Sequence, residues 1–248
     1  MPPTIPSNGM SAAKAALRYW ERRQEVVANN LANVSTEGFK GERAFARLVE
    51  GGDPVAQTAT DLRTGSLNAT GNPLDVALAS DGFFVVATPS GERLSRGGAL
   101  QLNTKQELVD QNGNHVLGDN GPITIPAGAA GVEIDRTGAI RLAPQADRLG
   151  RFDGDRPVLG RLRVETVPRG TTIAHEGNQY FIPPENRQPV DAAQRDVRQG
   201  FTEDSNVGAT DALVEMITIQ RHFAMAQKAI STLDDTRGRA VNDLGKPV

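Results

Sequence analysis

Cysteine is absent from the 248 residues, which rules out disulfides and thiolate metal sites. Aromatic residues are scarce, 4% of the chain with a single tryptophan, and apolar residues reach only 38%. Against that thin supply stand 26 glycines and 15 prolines. Such a composition suits a modest β core with many turns better than a large enzyme interior. Positive charge is not in excess either, since 27 Lys and Arg against 30 Asp and Glu leave a formal charge of -3. Phosphate recognition needs a concentrated basic surface, so no nucleic acid partner is expected. The longest wholly apolar runs, such as Phe83 to Ala87, fall far short of a membrane span, and no direct membrane insertion is expected. The opening Met1-Pro2-Pro3-Thr4-Ile5-Pro6 has no basic segment, apolar run or small-residue cleavage site. The expectation is a cytosolic chain, or one that leaves the cell without a cleaved signal.

What the chain does have is an apolar row at each end. Ala209, Ala212, Met216, Ile219, Phe223, Ala226, Ile230 and Leu233 recur at steps of three and four, and Ala240 and Leu244 rejoin the register past Arg237. A 3.5-residue repeat makes a narrow seam that stays in line only if the helix coils round a partner. A helix from about Asn206 to Leu244 would be a rod of ~50 Å, too long for the core of a compact domain. Met10, Ala13, Leu17, Trp20, Gln24, Val27, Leu31 and Val34 form a matching row, interrupted only at Gln24. Ser7 or Asn8 is placed to cap that helix, and Gly38 to end it. The two rows suit an intramolecular pair, or interleaving with the same helices of neighbouring chains. The plain alternative is two amphipathic helices packed on one core.

The middle reads as strands. Leu74, Val76 and Leu78 alternate with Asp75, Ala77 and Ala79, a half-buried pattern, and Phe83 to Val86 is dense enough for a central strand. Gln111-Asn112-Gly113-Asn114 is a hairpin signal between Leu108-Val109 and His115-Val116-Leu117. A second hairpin is expected over Val132 to Leu142, with its tip at Asp135 to Gly138. Ile123 and Ile125 between two prolines suggest an edge strand. Leu162, Val164 and Thr166 alternate again, and Tyr180-Phe181-Ile182 ends at Pro183. Pro144 to Pro157 reads as a surface loop. The fold class expected is α+β: terminal helices at 1–50 and 201–248 forming a coiled-coil stalk, with an all-β antiparallel barrel or sandwich at 65–200 inserted through a linker at 51–64.

Residues able to do chemistry are sparse and scattered. Asp81 before Gly82 is a turn residue, and Asp75 lies on the strand face away from the apolar row, so the two do not read as an acid–base pair. His115, His175 and His222 have no second ligand at metal spacing. No HExxH, P-loop or nucleophile elbow occurs. No enzyme activity, metal or cofactor is expected. Asn29, Asn30 and Asn33 are poor helix formers. They read either as a fraying end or as amides that fix the register of adjoining helices. Trp20 reads as a row residue suited to anchoring an interface.

Three stretches together resemble the bacterial flagellar rod and hook proteins. Ala28-Asn29-Asn30-Leu31-Ala32-Asn33-Val34-Ser35-Thr36-Glu37-Gly38-Phe39-Lys40 is similar to that family's N-terminal signature. Gly71-Asn72-Pro73-Leu74-Asp75-Val76-Ala77-Leu78 through Asp81-Gly82-Phe83-Phe84-Val85-Val86 resembles the start of its β domain. Ser205-Asn206-Val207 with Met216-Ile217 and Gln220-Arg221 resembles its C-terminal signature. The resemblance implies a structural subunit of the basal-body rod whose helices line an axial tube and carry torque from motor to hook. Its partners would be other rod subunits, proximal and distal, copies of itself, and the type III export apparatus during secretion. The short link before Leu74 and the long ending from Ile230 to Gly245 look more like the proximal part of the rod than the distal part or the hook. The interface residues implied are Leu17, Trp20, Gln24, Val27, Asn30, Leu31, Asn33, Val34, Met216, Ile219, Phe223, Ala226, Ile230 and Leu233. Rival readings are a cell-surface β-domain adhesin whose helices close a stalk, and an enzyme, which a deep polar pocket would revive.

Overall fold

A computed structural model describes residues 8–47, 55–129, 131–144, 156–168, 170–177 and 179–244. The Ser7 cap, the prolines at 2, 3 and 6, the Gly51 to Pro54 break and most of the 144–157 loop lie outside the described residues, as do the side chains of Met10, Arg237, Ala240 and Leu244. The chain divides into two compact units, one of Met1–Ala32, Glu42–Asp61 and Val207–Val248, the other of Asn33–Gly41 and Leu62–Asn206.

The first unit holds both long helices, α1 (Asn8–Ala32) and α2 (Ala209–Leu244), and a two-stranded ribbon of β1 (Glu42–Arg47) and β2 (Val55–Thr60). Helix α2 opens after Gly208, whose carbonyl accepts the Ala212 N–H at 3.0 Å. Asp211 in its first turn complements the positive end of the helix dipole. Helix α1 stops at Ala32, two residues short of the end of the row at Val34, so Asn33 and Val34 sit in the following turn. Val55–Thr60, expected as linker, is the partner strand of Glu42–Arg47 in an antiparallel register that sets Phe45 opposite Gln57. Asn30 fastens the ribbon to α1: its side-chain N–H donates to the Glu42 carbonyl at 2.8 Å, and its oxygen accepts the Glu42 N–H at 2.9 Å.

The second unit is β throughout, and every described strand pair in it is antiparallel. Its central strand, Phe83–Thr88, pairs with Gly91–Ser95, His115–Gly118 and Val164–Thr166. Alternate residues of a strand face opposite sides. Accordingly Phe84 and Val86 join one core cluster with Val116, Ile140 and Leu162, while Phe83 and Val85 join another with Leu94, Leu117 and Phe181. A strand buried on both faces is apolar without alternation, which explains the dense run. Val76–Leu78 is likewise wholly buried rather than half-buried.

Both expected hairpins form, joining Val109 to His115 and Ile134 to Ile140. Their turns share one device with a third at Asn103. In each, a side-chain oxygen (Asn103, Asp110, Asp135) accepts the backbone N–H two and four residues on. The expected barrel does not close. The large sheet runs open from Ala174–Glu176 at one edge to Gln101–Leu102 at the other. Strands of two to six residues give too little length for the tilt and stagger that closure requires. Ile123 and Ile125 are core anchors, buried at 3% and 1% exposure, on a segment held by one isolated bridge at Thr124.

Candidate assembly surface

Helices α1 and α2 pair along the residues that the two rows mark. Val27, Ala212 and Ile219 are buried together, with Trp20, Leu31 and Met216 packed against them. Trp20 lies flat on His222, ring centroids 4.5 Å apart and planes 6° from parallel, with Tyr19 edge-on at 5.1 Å. The Arg23 guanidinium sits 5.6 Å from the same indole and donates to Glu215 at 2.8 Å. Partner numbers fall on α2 as they rise on α1, from 20 with 222 to 23 with 215, so the helices run antiparallel. By that register α2 continues about 12 residues, ~18 Å, beyond the start of α1.

Leu17, Gln24, Phe223, Ala226 and Ile230 are half-buried, and Leu233 is exposed. Asn30 is committed to the Glu42 main chain, and Asn29 is exposed. Asn33, buried past the helix end, accepts the Thr36 hydroxyl at 3.2 Å. Val34 is half-buried in the same turn.

The rows did not mark a second apolar face on α2. Leu213, Val214, Ile217 and Met225 are exposed at 50%, 59%, 51% and 56%. At 100° per residue they centre roughly opposite Ala212, Met216, Ile219 and Phe223. The signal was present as apolar residues outside the 3.5-residue row. A helix apolar on two sides is one that packs against two neighbours; here α1 covers only one side.

In the β unit, a cleft of about 550 Å³ is lined by Leu62, Arg63, Asp81, Phe83, Arg96 and Val167, among others. Arg96 is already spent on the Leu78 and Ser80 carbonyls and the Glu203 carboxylate. Among the described residues no three His, Asp or Glu side chains gather as metal ligands. No described helix is long and apolar enough to cross a membrane.

A paired helix with one face still open and a β unit built for packing define the class of a structural subunit. Comparison with known proteins supports it. Residues 7–40 match the flagella basal body rod protein family, 77–142 the flagellar hook protein FlgE/F/G D1 domain, and 198–244 the flagellar basal body rod FlgEFG protein C-terminal family. The chain is 34% identical to the flagellar basal-body rod protein FlgF of Escherichia coli, covering 93% of this chain and 94% of that one. It is 29% identical to FlgF of Mesorhizobium japonicum (96% and 98% covered) and 28% identical to the rod protein FlgG of Bacillus subtilis (92% and 96%). The chain belongs to the flagellar basal-body rod protein family.

Proposed function

We propose that this chain is a structural subunit of the proximal rod of the bacterial flagellar basal body, transmitting torque from motor to hook as part of an axial tube. The terminal helical domain (1–50 with 201–248) is the assembly element. Its helices form the coiled-coil wall together with those of other rod subunits and copies of itself, and the β domain is taken as residues 65–200. The subunit reaches its place through the type III export apparatus. The observation that carries this reading is the open face of α2. Leu213, Val214, Ile217 and Met225 are half or more exposed in the isolated chain, and burying such a side chain is worth about 1.5–3 kcal/mol at full burial. Trp20, Val27, Leu31, Ala212, Met216 and Ile219 hold the helix pair that presents this face.

The proximal assignment is supported by the long C-terminal ending and by the relatives named FlgF; relatives named FlgG match over a similar share of the chain. The test is to replace Ile217 and Met225 together by aspartate and to image basal bodies from cells that carry only this variant. Rods stopped at or below the proximal segment, with a normally folded purified subunit, are expected. Complete rods and normal swimming would refute the reading.

A further inference from the structure

The N-terminal signature ends in Gly38-Phe39-Lys40, whose role the helix pairing does not explain. Lys40 is fully buried within the β unit, as are Glu203 and, to 2% exposure, Arg96. Glu203 Oε1 accepts Lys40 Nζ at 2.5 Å and the Gly65 N–H at 2.7 Å, and Oε2 accepts Arg96 Nη1 at 2.9 Å. Each charge comes from a different family-matched segment: Lys40 from 7–40, Arg96 from 77–142, Glu203 from 198–244. The same knot ties neighbouring main chain together. The Gly38 N–H donates to the Glu203 carbonyl at 2.7 Å, and the Arg63 carbonyl accepts both Lys40 Nζ (2.7 Å) and Asn206 Nδ2 (3.0 Å). Asn206 Oδ1 accepts the Gly41 N–H at 2.8 Å. Gly38 turns at φ +66°, and a Cβ there would stand 2.4 Å from the Arg96 carbonyl carbon, so only glycine closes this turn.

We propose that Lys40, Glu203 and Arg96 form a charge-gated latch that docks the N-terminal segment 36–41 on the β unit only once the C-terminal strand Phe201–Glu203 is in place. Two cations meet one carboxylate in a site closed to water. Without the Glu203 charge, Lys40 and Arg96 lose the carboxylate that they share, with the Asp81 charge still acting on Arg96, and breaking a buried pair from one side is far more costly than breaking a surface pair. Lys40 is therefore held in water, and Gly38 and Phe39 with it, until residue 203 arrives from 163 positions further along. Burial pushes the Arg96 guanidinium below its usual value, and the neighbouring Glu203 charge opposes that shift. The Arg96 Nε finds no acceptor, which leaves the guanidinium dependent on the partners of its terminal nitrogens.

The charge count makes the latch testable. Loss of the acid takes the shared carboxylate from two cations; loss of Lys40 leaves the Arg96–Glu203 pair intact. Amide hydrogen exchange on the full-length monomer reads the difference without reference to rod assembly. Glu203→Gln, nearly isosteric, is expected to lower protection of the Gly38, Gly41 and Gly65 amides at least about 100-fold, with Leu108 and Leu162 unchanged. Lys40→Met is expected to lower it less than about 10-fold. The double variant Lys40→Met/Glu203→Gln is expected to exceed Glu203→Gln alone in protection, because one of the two mutually repelling cations is gone. Should Glu203→Gln unfold the whole chain, the same ranking is read from Tm. Wild-type protection in Glu203→Gln, or a double variant no better protected and melting no higher than Glu203→Gln, would overturn the latch.

Discussion

Replacing Ile219 by alanine removes three carbons from a site with no exposure, walled by Val27 and Ala212. At about 0.8 kcal/mol per buried carbon the transfer loss is about 2.4 kcal/mol, and the cavity left between two helices raises the cost to about 3–4 kcal/mol. Ile217, two residues away, is 51% exposed on the other face. Isoleucine and serine have similar helix propensity, so Ile217→Ser should cost the monomer less than about 1 kcal/mol. Urea unfolding followed by far-ultraviolet circular dichroism, which reads the helical unit, compares the two. Equal losses, or a loss under about 1 kcal/mol for Ile219→Ala, would show that the two helices do not pair within one chain and would refute the assignment of an inner and an outer face.

Three further outcomes follow from particular contacts. Asn30→Leu should cost about 1–3 kcal/mol by removing both side-chain hydrogen bonds to the Glu42 main chain, read as lost protection of the Glu42 amide; unchanged protection would refute the fastening role. The last turns of α2, where residues 231–236 are all exposed and Gly238 interrupts good helix formers, should exchange amide hydrogens far faster in the monomer than those around Ile219; equal protection would contradict the overhang. For Asp135, burial alone would raise the carboxyl pKa, but hydrogen bonds from Thr137, Arg141 and the Ala139 and Thr137 backbone outweigh it and hold it at about 2. A depressed folded-state pKa stabilises above the unfolded value and is lost as pH falls through the folded one. Asp135→Ala should thus cost about 1–2 kcal/mol at neutral pH, after allowing for solvent screening of a one-third exposed site, and the difference should shrink between about pH 4 and pH 2. A pH-independent difference would refute this.

The helix pair was legible because burial on one face of a helix forces a repeat of three and four, and both rows obey it. The central strand and the two hairpins were legible from a dense apolar run and from Asn-Gly and Thr-Gly turns. Three features were not. The ribbon of Glu42–Arg47 and Val55–Thr60 consists of small and polar residues apart from Phe45 and Val55, which are both exposed, so no buried apolar alternation marks it. The outer face of α2 was hidden because a seam template scores one row and passes over Leu213, Val214, Ile217 and Met225. The knot around Glu203 was invisible for a more basic reason: Lys40, Arg96 and Glu203 look like surface residues to any hydropathy measure, and only the fold shows them buried together. The expected barrel failed because strand spacing reveals how many strands there are, not whether they are long enough to close.

The absence of native cysteine makes the central claim directly measurable. Single cysteines, Ile217→Cys on the open face and Ile219→Cys on the buried one, can be oxidised within intact basal bodies together with single cysteines on neighbouring rod subunits. Disulfide-linked pairs with another rod subunit from Ile217→Cys, and none from Ile219→Cys, are the result the account predicts. Links from Ile219→Cys alone, or from neither position, would contradict it.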